Sequence, residues 1–152
     1  MSEAITAGKI VLNDANDARD CLDSADAWST WDVLGGGVMT DIMKHSKLDE
    51  AQECVCRMQS SLRRFKTELS DVNIKSNITV NISGFTKFAD YFFDGLFVDI
   101  SVKNRISSSI DEVRTVSRNV SEIVNKLENN ISILREEIDK LNDQYKNLVN
   151  KI

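Results

Sequence analysis

A histidine flanked by carboxylates one helical turn away can ligate a divalent metal. This chain has one such set, Asp41, His45 and Asp49. The three share a face only if a single helix runs through them. Ser46 has the character of a helix cap, with Asp49 three residues on as a weaker relative of a capping-box glutamate, so a break is expected between residues 45 and 47. His45 is the single histidine of the chain, and no cysteine is placed to assist it. It is therefore read as a surface or capping residue, and no metal is assigned. The triplet Gly35-Gly36-Gly37 could cradle an anion at the start of the following helix. It has no Lys, Ser or Thr at phosphate-loop spacing and no dinucleotide fingerprint, so it is read as a tight turn. Trp28, Trp31 and Asp32, with the aromatic run from Phe88 to Phe97, could line a small-ligand pocket, although aromatic residues so spaced more often form core. Nucleophilic catalysis needs an oriented base beside the nucleophile, and the lone histidine has no recognisable partners for that work. The expectation is a protein that is not an enzyme, without cofactor or metal.

The cysteines are Cys21, Cys54 and Cys56. Cys54-Glu-Cys56 is a poor disulfide candidate, and its spacing fits no zinc site. Cys21 and Cys54 sit among apolar helical positions and are expected as buried thiols in a reducing compartment.

Composition bounds the elements that could position these residues. At 152 residues and 41% hydrophobic content, the chain suits one globular domain over 1–152. It contains no proline, which favours long uninterrupted helices. The net charge of −5 is uneven: residues 1–60 hold eleven acidic against five basic side chains, whereas residues 106–152 hold eight against seven. No basic stripe is present, so no nucleic-acid partner is expected. No stretch approaches the roughly 20 apolar residues that span a bilayer, and the acidic balance argues against anionic lipid surfaces. The N-terminal segment has no basic or long apolar part, so a cytoplasmic location is expected.

Apolar periodicity then divides the chain. A first helix is predicted over 10–34, where Val11, Ala15, Ala18, Leu22 and Ala25 step by four and three; its small residues suit close approach to a neighbour. A short helix over 38–45 follows the glycines. A third helix over 47–73 carries Leu48, Ala51, Val55, Met58, Leu62, Phe65, Leu69 and Val72 along one seam. The segment 77–102 is predicted as β structure. Ile78, Val80 and Ile82 alternate with Thr79 and Asn81, and Asp94-Gly95 lies between two apolar runs as a hairpin turn would. The rival is a helix, since Phe85, Phe88, Phe92 and Leu96 also share a helical face; the strand reading is preferred.

From Ile106 to Ile152 the apolar positions repeat every seven residues without a slip. One set is Ile106, Val113, Val120, Leu127, Leu134, Leu141 and Leu148. The other is Ile110, Ser117, Val124, Ile131, Ile138, Tyr145 and Ile152. A last helix is thus predicted over 103–152. Val116 and Ile123 widen its stripe in the first half, as suits a helix with two neighbours.

The expected fold is mainly α with a small β element. It comprises an antiparallel bundle of three long helices, a β-hairpin between the second and third of them, and a long C-terminal coiled-coil helix. At 1.5 Å per residue the last helix spans roughly 70 Å and outruns helices of roughly 35–50 Å. Its distal seam, Leu134, Ile138, Leu141, Tyr145, Leu148 and Ile152, is the candidate interaction site. β-branched residues at one core position and leucine at the other favour a parallel pair, while Glu137 would face Asn142 and Asn130 would face Arg135, so no strong ion pairs fix it.

Ala27-Trp28-Ser29-Thr30-Trp31-Asp32 with Gly35–Gly37, Lys44 to Ala51, Leu62-Arg63-Arg64-Phe65 and Phe92 to Phe97 together resemble an uncharacterised family of small bacterial helical proteins, over most of residues 10–110. The resemblance implies a bacterial cytosolic origin and no mechanism. The expected function is a non-enzymatic interaction or scaffold protein, a homodimer or a binder of another helical protein. The alternative is a small-ligand or metal-binding helical module centred on residues 28–45 and the 85–100 aromatic segment.

Overall fold

The computed structural model describes residues 1–31, 38–76, 82–95 and 103–150; within these, the side chains of 28–31, 38–45, 73–76, 82–84, 91, 93–95 and 103–104 lie outside the description. The described residues form four helices: α1 (Ser2–Trp31), α2 (Val38–Ser76), α3 (Ile82–Gly95) and α4 (Lys103–Val149). They pack on one another around a single core, with α1 against both α2 and α4, and α3 against α2.

Helix α1 begins earlier than expected, because its apolar period reaches back through Ala7 and Ala4, both buried. Seven core positions from Ala4 to Ala25 hold five alanines, with only Val11 and Leu22 larger. Such a stripe lets two neighbouring helices approach closely. Gly8 marks the tightest point. A Cβ there would collide with Val124 Cγ2 of α4 and meet Phe65 Cε2 of α2 at 3.0 Å.

Cross-helix contacts set the directions. Gly8 lies level with Phe65, Asp17 pairs with Arg57 at 3.8 Å, and Cys21 is joined to Cys54, so α1 and α2 are antiparallel. Gly8 also lies level with Val124, and Lys9 pairs with Glu128 at 2.8 Å. The buried residues of α4 run from Ile106 to Leu127, so α4 descends past α1 and is antiparallel to it.

Three expectations are corrected. The break at Ser46 is absent: residues 38–45 and 47–73 belong to one helix, α2. A serine cap contributes only about 1 kcal/mol, and no glycine or proline lies nearby to enforce a stop; Lys47 instead bridges Glu50 along the helix at 2.6 Å. The β-hairpin is also wrong over 82–95, which is helical through Asp94 and Gly95. There the core takes Phe85, Ala89 and Phe92, a 3.6-residue period, and Phe85 meets Phe65 of α2 edge-on with centroids 5.4 Å apart. Burial of that face outweighs the turn preference of Asp-Gly. Residues 77–81 and 96–102 of the same expectation lie outside the described residues, as do 32–34 of the first helix and 151–152 of the last. Finally, Cys21 and Cys54 are not separate thiols. They form a disulfide between α1 and α2 with Cα atoms 6.7 Å apart, within the span such a bond allows. Cys56 is free and exposed.

Two outcomes follow. Gly→Ala in a helix ordinarily stabilises by roughly 0.5–1 kcal/mol, but Gly8→Ala is expected to destabilise by about 1–3 kcal/mol, because Val124 is stiff and overpacking is costly. Urea denaturation measures this, and a variant as stable as the parent would contradict the close approach. The disulfide closes a loop of 33 residues of separation, so reduction or Cys21→Ser should cost roughly 3–4 kcal/mol by loop entropy. An unchanged melting temperature, with three titratable thiols before reduction, would show that the pair is not bonded.

Candidate functional site

The candidate seam begins where the bundle ends on α4. From Ile106 to Leu127 the helix buries a wide stripe that includes Val116, Val120, Ile123 and Val124, together with Ser109. Val116 and Ile123 are the residues expected to widen it, and both are buried. Ile131 is half-buried, and every residue from Ser132 to Asn150 is exposed. The seven-residue repeat continues unchanged across this boundary; only its cover stops.

The exposed length is about 28 Å of helix at 1.5 Å per residue. Leu134 is 39% exposed, Ile138 56%, Leu141 63%, Tyr145 70% and Leu148 65%. The helical spacing puts all five on one face, as expected. Ile152 lies outside the described residues. The other faces carry Arg135, Glu136, Glu137, Asp139, Lys140, Asp143 and Lys146, with Lys146 and Asp143 pairing loosely at 3.9 Å. Such exposed pairs contribute at most a few tenths of a kcal/mol. Ile133 adds an exposed apolar residue beside the seam.

The rival site is not assembled by the described residues. With α2 continuous, Asp41, His45 and Asp49 fall on one helix at four-residue spacing, the condition for a shared face. The side chains of Asp41 and His45, like those of Trp28 and Trp31, lie outside the described residues. Among the described residues no group of three or more His, Cys, Asp or Glu is placed to hold a metal. In the aromatic segment Phe85 and Phe92 are core, and Phe88 packs partly buried beside them.

What the sequence reading missed was the cysteine pair. Cys21 precedes Leu22, and Cys54 precedes Val55; both of those neighbours are buried between α1 and α2. Each cysteine thus flanks a seam that meets the other, a signal available once the two seams are read as facing. Arg57 Nη2 lies 3.5 Å from Cys54 Sγ.

One titratable group stands out. Glu112 of α4 holds a buried Oε2 that has no hydrogen-bond partner among the described residues. Burial first, and then the neighbouring Asp111, push its carboxyl above the ordinary value of 4.5. The charged form is therefore disfavoured in the folded state.

The chain matches no protein-family model, no curated protein and no solved structure.

Because its folded pKa lies above its unfolded one, Glu112 binds protons more tightly when folded. Its penalty is absent below about pH 4.5 and grows to its full size above the raised folded value. Glu112→Gln should therefore raise the melting temperature at pH 7, with the gain fading as pH falls towards 4.5. A gain independent of pH would argue against this cause.

Proposed function

We propose that this protein is a non-enzymatic interaction or scaffold protein that self-associates through the distal half of α4. What supports the reading is one observation: a seven-residue apolar repeat that continues for about 28 Å beyond the last residue the bundle covers. A helix segment that faced only solvent would have no use for an apolar stripe. Exposed contiguous apolar surface of this kind marks an interaction site.

The magnitudes are adequate. Fully burying a Leu or Ile side chain stabilises by about 1.5–3 kcal/mol. Two copies that cover each other's Ile131, Leu134, Ile138, Leu141, Tyr145 and Leu148, most of them already part-covered by their own helix, gain roughly 10–20 kcal/mol gross. Association costs on the order of 4–15 kcal/mol, so a micromolar dimer is expected. No nucleic acid or membrane has a place in this proposal: the exposed half of α4 carries mixed charge, and no described helix is long and apolar enough to cross a membrane. A cytoplasmic setting belongs to the proposal only if Cys21 and Cys54 are reduced there. Protein from the source cell with that bond intact would place it in an oxidising compartment.

Sedimentation equilibrium tests the proposal. The chain should be dimeric at tens of micromolar. Leu141→Glu should make it monomeric with the thermal unfolding of the bundle unchanged, since Leu141 touches none of the core. A native chain that stays monomeric at that concentration sinks the proposal.

A further inference from the structure

We infer that the occupant of the seam is a second copy of this chain lying antiparallel, with the two bundles at opposite ends of a shared helical pair. This rests on the self-association proposed above and specifies its orientation against the parallel preference of the residue types. The deciding constraint is α1. It packs on the same seven-residue stripe of α4 that the partner would use, and it covers that stripe as far as Leu127. In a parallel, in-register pair the stripes of both copies face each other along their whole length. Each copy's α1 would then lie between the two α4 helices over 106–127, while beyond Ile131 the same helices must come within 8–10 Å of each other. Both α4 helices would have to bend sharply at the boundary. Yet α4 runs unbroken from Lys103 to Val149, with neither proline nor glycine to kink it.

An antiparallel pair avoids the conflict. Each partner helix then runs in the direction of the other copy's α1 and continues the line of cover where α1 leaves off. The seam also matches itself in one register. Ile131 falls opposite Leu148 of the other copy, Leu134 opposite Tyr145, and Ile138 opposite Leu141, so the two-fold repeat gives six layers and leaves no described seam residue uncovered. In that register Glu137 lies beside Gln144, and Arg135 beside Asn142, with no like charges opposed. Sliding the copies seven residues further together sets Glu137 against Glu137 and Arg135 against Arg135, and brings Leu148 opposite Val124, which α1 already covers. The six layers bury on the order of 1,000 Å² in total, near the lower bound for a specific interface.

Pulsed electron–electron spin resonance on the full chain tests the orientation. Arg118 is exposed on the bundle half of α4. A spin label at Arg118→Cys, with the free thiol removed by Cys56→Ser and the disulfide kept, should give a distance of about 65 Å between copies, from 43 intervening helical residues. A parallel pair gives roughly 20–40 Å, since both labels then lie at the same level and only the width of the bundles separates them. As a second readout, Ile131→Cys and Leu148→Cys variants mixed and oxidised should cross-link to each other, and neither to itself. A short distance, or self-linking of Leu148→Cys, overturns the antiparallel arrangement and leaves self-association standing. A monomer by sedimentation under the same conditions overturns both.

Discussion

The structure depends on the narrowness of α1. Five alanines and a glycine on its inner faces allow α2 and α4 to approach it from two sides, and the point of least tolerance is Gly8 between Phe65 and Val124. Dispersion and burial there are short-ranged, so the large side chains that fill the core must come from the neighbours. Phe65, Met58, Leu62 and Leu69 of α2 and Ile106, Val113, Val120 and Leu127 of α4 supply them. A small central helix with large flanking ones fixes register as well as distance. Sliding α4 by one turn would take Val124 away from the space that Gly8 leaves for it.

That register decides where α4 emerges. Because Val124 is held at Gly8 and Glu128 at Lys9, the rest of α4 lies beyond the reach of α1. The exposed seam thus starts directly beyond these contacts. The ion pairs contribute little here. Lys9–Glu128, Arg57–Asp17 and Lys66–Asp90 are all substantially solvent-exposed and contribute about a few tenths of a kcal/mol each; they mark alignment more than they create it.

Much of this was legible in the residues. The seven-residue repeat of α4, the widened stripe at Val116 and Ile123, the small-residue face from Val11 to Ala25 and the excess length of the last helix all follow from periodicity, because burial on one face leaves that trace. What failed were features set by local preference. Ser46 carries a cap signal, which contributes about 1 kcal/mol, and Asp94-Gly95 carries a turn signal. At 85–92 burial of Phe85, Ala89 and Phe92 favours a continuing helix, and at Ser46 the cap alone is too weak to end one. Around 85–96 a helical face competed with the Asp94-Gly95 hairpin signal, and what favours the helix is Phe65, a residue 20 positions before Phe85 that only the fold brings alongside it. The cysteine pair was hidden for the same reason: Cys21 and Cys54 become partners only after α1 and α2 are set antiparallel in the register that Gly8 and Phe65 impose.

The residue-type rule for coiled coils meets a similar limit. Ile at one core position and Leu at the other favour parallel dimers when the two helices are free of other neighbours. Here they are not free, since α1 already occupies the seam of α4 over its first half. In the proposed dimer, a parallel pair would drive two further helices between the α4 helices and forfeit contact along the distal seam, so topology would outweigh residue type in setting orientation. The wider stripe before Leu127 has the same origin, since a bundle segment must satisfy more than one neighbour.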